Sequence, residues 1–262
     1  MAPACIIVNA GKWVPHFTFN PDLRQVMTEG AEEDHWPAWA KCILAGLFDS
    51  GGRIHELCSL MLRDWLASNC RGGVQACSKG SRGRRVKVLA LHPDTVNQWR
   101  RYFDGERRGY DPRAWPLTEY RTAVRARSCE PSSVPIFLTR RGNAPPPGTF
   151  RDLYWRPTAE RRGVTGGPHT ARHWYVTMRM SRIIEETLTG EEFSRAVSQL
   201  IGYMNWVNGY GMLDHYDHTV GFKAAQAFLE NPRPVDGPVL DRGADYVRAS
   251  KSLQQLLGES GN

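Results

Sequence analysis

"GGPHTARHWYVTMRM", residues 166–180, opens with two glycines and a proline, then sets His169 and His173 four residues apart with Arg172 between them. Glycine and proline punctuate the chain, so the run after Pro168 reads as the start of a helix. Histidines four apart on a helix can hold a metal, and a histidine three before an arginine can hold a phosphate. A zincin-type pair carries a glutamate after its first histidine to act as base. Here Thr170, Ala171 and Arg172 intervene, and a guanidinium beside the site would repel a cation. A polar helix start with His169 near the N-cap is the plain alternative to phosphate.

Working outward, helical spacing recurs through Trp36, Trp39, Cys42, Ile43 and Leu47 until "DSGG" breaks it. "RIHELCSLML" reads as a second helix, with Arg53 at its outward end and Leu57, Leu60 and Met61 facing inward. Alternation in "VQAC" and "VKVLAL" around a Gly-Ser-Arg-Gly turn predicts a β-hairpin. "HPDTVNQWRRYF" predicts a helix, residues 104–134 a basic, irregular insertion, and "SVPIFLT" a short strand. "FRDLYWRPTAERRGV" predicts a helix that Pro157 kinks or ends. Helices follow over the opening stretch, "EEFSRAVSQLIGY" and "GMLDHYDHTVGFKAAQAFLE".

The fold class that results is α+β, mainly α: a helical domain with a small antiparallel β-hairpin sheet. Residues 1–31 read as an N-terminal extension and 32–230 as the domain. A proline-marked linker and an amphipathic C-terminal helix fill 231–262. The chain of 262 residues is 41% hydrophobic, enough for a packed core, and carries no run that would span a membrane and no basic leader before an apolar patch. Its six cysteines are scattered without a C-x-x-C pair, as reduced thiols would be. Lys and Arg outnumber Asp and Glu by 34 to 27, which favours a polyanionic partner.

Three distant features weigh on the choice between metal, phosphate and cap. Arg53 opens "GGRIHELCSLMLRDW", Lys79 sits on the hairpin turn, and Tyr216 stands in "LDHYDH". With "HTARHWYVT" supplying His169, Arg172 and His173, these stretches resemble the catalytic domain of the tyrosine recombinases, the phage-integrase group. Arg53, Glu56, Leu57 and Asp64 look like that family's first arginine box. "CSKGSRGRRVKVLAL" is similar to its lysine hairpin, "PIFLTRRGNAP" to the strand and turn before the second box, "QLIGYMNW" to its Leu-Gly-His element, and "HYDHT" to the segment around its nucleophile. The resemblance runs over residues 33–228.

That resemblance implies DNA strand cleavage and rejoining through a covalent 3′-phosphotyrosine. Arg53 and Arg172 would hold the two non-bridging oxygens, since guanidinium forks match phosphate and stay charged. Tyr216 would attack and Lys79 would protonate the leaving 5′-oxygen. His169 would bind phosphate or help take the phenol proton, and His173 would be structural. Neither metal nor ATP is implied: the arginines stand in for a Lewis acid, and rejoining reverses the first step.

Tyr203 stands where the family has histidine or tryptophan; a phenol still donates a hydrogen bond, but is neither a cationic donor nor a neutral-pH base. Trp206 fills that place if the register differs. Tyr216 lies thirteen residues beyond Tyr203, a longer gap than the family's, which makes Tyr210 a rival nucleophile.

Five basic residues and no acidic one occupy "KGSRGRRVK", residues 79–87. Arg82, Arg84, Arg85 and Lys87 are accordingly expected along a DNA backbone, with "RRGYDPRAWPLTEYRTAVRAR" extending the contact. The partner is double-stranded DNA, with a monomer free in solution and a homotetramer on DNA. A cytoplasmic, nucleoid-associated protein is expected. The leading residues are too few for the DNA-clamping domain that family members carry, so such a domain or a partner would have to supply it. A catalytically inactive DNA-binding relative, a type IB topoisomerase-like enzyme and a zinc protein built on His169 and His173 are the alternatives.

Overall fold

Trp39, Ile43 and Leu47 are buried along α2 (Ala38–Ser50), which starts behind Pro37 and stops at Gly51, a residue in left-handed conformation with φ 58°. Glycine adopts that conformation without the clash a Cβ brings, so it terminates the helix cleanly. The structure, a computed structural model, describes residues 7–9, 12–14, 19–77, 86–186, 189–206, 209 and 212. Lys79, Arg82, Arg84, Arg85, Tyr210 and Tyr216 lie outside the described residues, as do the linker and C-terminal helix expected over 231–262.

A short antiparallel pair, β1 (Ile7–Asn9) and β2 (Lys12–Val14), comes first. Then follow α1 (Leu23–Glu33), α2, α3 (Ile54–Cys58) and α4 (Leu62–Leu66). The expected hairpin forms from β3 (Gly73–Cys77) and β4 (Val86–Ala90), in register from Gly73 opposite Ala90 to Cys77 opposite Val86. After it come α5 (Pro93–Asp104), α6 (Leu117–Arg125), α7 (Pro147–Thr149), a π-helical turn over Phe150–Trp155 and α8 (Arg156–Arg161). The last described elements are α9 (His169–Glu186) and α10 (Gly190–Met204). The fold is mainly helical with small antiparallel hairpins. Around α2 pack α1, α3, α5 and α9, so its C-terminal end lies where several elements converge. A second apolar cluster of Tyr175, Val176, Met180, Val197, Leu200, Met204 and Trp206 joins α9 to α10. Among the described residues no helix is long and apolar enough to cross a membrane.

Several expectations are corrected. Residues 23–31 are no extension: Leu23, Met27 and Ala31 on α1 are buried in the same core as α2. Their apolar spacing is sparse, which hid the helix. "RIHELCSLML" is helical only over α3 and turns after Cys58; a new helix, α4, starts at its last residue, where Asp64 accepts from the Met61 amide at 2.8 Å. "SVPIFLT" makes no strand; its backbone bonds go to the turn between α3 and α4, with the Leu62 amide donating to the Val134 carbonyl and the Ile136 amide to the Leu60 carbonyl.

The 104–134 segment contains α6 and a buried cation. Arg107, expected to extend a DNA contact, is 1% exposed and donates to the Ile136 and Pro135 carbonyls at 3.0 and 2.9 Å. It also pairs with Asp111 and lies over the Phe103 ring. Pro157 is absorbed where the π-helical turn gives way to α8: a residue without N–H sits at the change of hydrogen-bond register.

Candidate active site

Gly51 shows its carbonyl to α9. Arg172, on the first turn of that helix, is fully buried, and its Nη1 donates to the Gly51 oxygen at 2.7 Å. Its Nη2 reaches the Met204 carbonyl at 3.5 Å, and the guanidinium carbon lies 5.7 Å from the centre of the Trp206 ring. A Cβ on residue 51 would stand 2.5 Å from Cδ1 of Tyr175, one turn further along α9. Glycine at 51 therefore permits both the left-handed stop and the close approach of α9.

Two residues on, Arg53 is extended and caps α3. Its amide donates to Oε2 of Glu56 at 2.8 Å, and its Nη1 stands 3.3 Å from Oε1 of the same carboxylate. The Arg53 side chain remains 29% exposed whereas that of Glu56 is 1% exposed. Beneath this pair comes Lys87 of β4, 4% exposed, with Nζ 2.6 Å from Glu56 Oε2.

Burial alone would raise the Glu56 carboxyl, but the Lys87 ammonium, the Arg53 amide and the Arg53 guanidinium overcome it and hold it below the ordinary range. Burial lowers the Lys87 ammonium to about 8; Glu56 opposes this, and the neighbouring Arg172 and Arg53 guanidinium groups add to it. Arg53, Lys87 and Arg172 therefore share one region with a single carboxylate. The excess of positive charge there is what an incoming anion would neutralise.

Lys87 corrects an expectation. Expected along a DNA backbone, it faces the core instead. In a strand, residues two apart share a face. Lys87 and Leu89 are buried, while Val86 and Val88 are exposed. The alternation in "VKVLA" suggests the opposite, since Val86, Val88 and Ala90 form its apolar set; the strand instead turns Lys87 inward beside Leu89, where Glu56 receives it.

Tyr203 is also placed differently from the expectation of a phosphate donor. Its hydroxyl donates to the Ser50 carbonyl at 3.0 Å and accepts from the Ala90 amide at 3.1 Å, tying α10 to the end of α2 and to β4. Burial pushes its phenol well above the ordinary range. Trp206, reached after Asn205 turns the chain with φ 54°, is the residue of that segment whose ring faces Arg172.

His169 is exposed at the start of α9, its ring edge-on to that of His173 with centroids 5.1 Å apart. Among the described residues no three His, Cys, Asp or Glu side chains are gathered as a metal site would require. The sequence named Glu56 as part of a motif without giving it a task; its burial among cations supplies one.

Neither a family model nor a curated protein matches the chain. Among solved structures, the crystal structure of XerA recombinase matches at a TM-score of 0.50, with 17% identity, over 84% of this chain and 67% of that chain. The fold, mainly helical with a small two-stranded antiparallel sheet, is consistent with that of a tyrosine recombinase catalytic domain. In this fold α2, α3, β4, α9 and α10 meet around Gly51, and both candidate arginines sit at that meeting point.

Proposed function

We propose that the chain is a site-specific DNA recombinase that cuts and rejoins strands through a 3′-phosphotyrosine. The observation carrying this reading is the gathering of Arg53 and Arg172 at the end of α2 in a tyrosine recombinase fold, with Arg53 open to solvent.

A phosphodiester resists attack because its oxygens repel nucleophiles, and charge grows on the non-bridging oxygens as phosphorus becomes pentavalent. Arg53 and Arg172 answer that charge, with the Trp206 indole N–H as a neutral donor in the place of the family's histidine. The phenol oxygen of Tyr216 forms a bond to phosphorus as the bond to the 5′-oxygen breaks. His169 or water takes the phenol proton, and Lys79 gives a proton to the departing oxygen. Attack by the 5′-hydroxyl of a second strand reverses each transfer, so no energy source is consumed. Arg82, Arg84 and Arg85 follow the DNA backbone beside the cut. The protein acts at the nucleoid, as a monomer that assembles into a tetramer on two DNA sites.

A second reading has its own support. Arg172 has no exposed surface and the Tyr203 hydroxyl is taken up by backbone, which suits a relative that binds DNA without cutting it. A pool of nicked duplexes of randomised sequence separates the two. The recombinase reading expects adducts that survive denaturation, with DNA attached at Tyr216 when the peptide is mapped by mass spectrometry. Attachment at Tyr210 would reassign the nucleophile. DNA binding with no adduct would establish the non-cutting relative, and relaxation of plasmids lacking any enriched site would point to a topoisomerase.

A further inference from the structure

We propose that Lys87 is a positioning residue: by occupying Oε2 of Glu56 it keeps the Arg53 guanidinium loosely held and available to a phosphate. The inference rests on the reading of Arg53 as a phosphate ligand.

Glu56 is a buried carboxylate with two oxygens and three donors around it. Oε2 takes the two short contacts, 2.6 Å from Lys87 Nζ and 2.8 Å from the Arg53 amide. Oε1 is left with the Arg53 guanidinium at 3.3 Å, a long contact for a charge-assisted bond. Backbone and lysine thus satisfy most of the carboxylate, and the guanidinium stays partly exposed.

Without Lys87, the same buried carboxylate would have one cation within reach. A guanidinium fork fits a carboxylate through two parallel bonds, and this geometry competes directly with the fork it would offer a phosphate. Lys87 therefore acts through Glu56, as a competitor that holds the carboxylate away from Arg53. Its place on β4, opposite Ala76 in the hairpin, fixes the ammonium from a rigid strand.

The test follows the Arg53 Nε–Hε signal of the full chain by NMR, identified with Arg53→Lys, during titration with inorganic phosphate. The wild-type signal is expected to shift and saturate. In Lys87→Met the signal should already be displaced before phosphate is added, and phosphate affinity should fall about tenfold. Lys87→Arg should retain the affinity. Lys87→Met/Glu56→Gln should recover it to within about threefold, because no carboxylate remains to capture Arg53.

An unchanged Arg53 signal and affinity in Lys87→Met would overturn the proposal, as would a double variant no better than the single one. Where Lys87→Met does not fold, Glu56→Gln is compared with the double variant. Equal affinities uphold the proposal and a further loss in the double defeats it. A wild-type Arg53 signal indifferent to phosphate would instead sink the functional reading, while the phosphate-free spectra still decide whether Lys87 controls Arg53.

Discussion

The carbonyl that receives Arg172 belongs to a residue that must be glycine on two counts, its left-handed φ and the 2.5 Å a Cβ would leave to the Tyr175 ring. One backbone position therefore sets both the end of α2 and the height at which α9 presents its arginine. Tyr203 works on the same end of α2 from the other side, through the neighbouring carbonyl of Ser50. Both polar faces of its hydroxyl are used by backbone, so Tyr203→Phe should act on stability and spare the chemistry. Stranding the Ser50 carbonyl and the Ala90 amide should cost about 1–2 kcal/mol in urea unfolding. Adduct yield should change by less than about threefold, under 1 kcal/mol of barrier. A hundredfold loss of adduct in a folded variant would return the phenol to the role of phosphate donor.

At the scale of elements, the segment between α5 and α7 is held from within by one arginine. Arg107 spans from the turn after α5 to the 135–136 backbone, while Tyr120 of α6 donates to the same Asp111 carboxylate at 2.6 Å. Arg107→Met keeps the side-chain length but leaves a buried carboxylate and two carbonyls without their cation. The expected loss is about 3–5 kcal/mol by urea or thermal unfolding, and a loss below about 1 kcal/mol would show the segment to be held by its apolar contacts instead.

The same element shows where the sequence is readable. Periodicity announces α2, α5, α9 and the β3–β4 hairpin because their buried residues are apolar and regularly spaced. It cannot announce Arg107, since a buried cation is recognised only by the carbonyls that fold against it from some thirty residues away. "SVPIFLT" looks like a strand because buried extended chain and sheet share a composition, and only the position of the α3–α4 turn tells them apart. Motif alone points to Arg53, Arg172 and His169, and the structure brings the two arginines to the end of α2. The Lys87–Glu56 contact was not legible: alternation in "VKVLA" would face the two valines inward, and nothing local says that Glu56 awaits the lysine.

For the whole molecule, burying Lys87 leaves a mark on stability that can be separated from other titrations. In the folded chain this ammonium loses its proton near pH 8, against a reference of 10.5. Between those values the unfolded chain holds the extra proton, so raising the pH favours the folded state, by about 2 kcal/mol between pH 8 and 10.

Buried thiols work the other way. Burial raises Cys42 and Cys70 and pushes Cys58 up to about 12, so above pH 9 the unfolded chain sheds protons that the folded chain keeps. The wild-type curve alone mixes both effects. The difference between wild type and Lys87→Met/Glu56→Gln cancels the cysteines and should rise across pH 8–10. In acid that difference should fall once the pH drops below 4.5. There the unfolded Glu56 takes up a proton before the folded one, whose carboxyl is held low by Lys87 and Arg53 despite burial. A difference flat from pH 8 to 10 in urea unfolding would mean that the Lys87 ammonium is solvated, and that β4 does not carry it beneath Arg53.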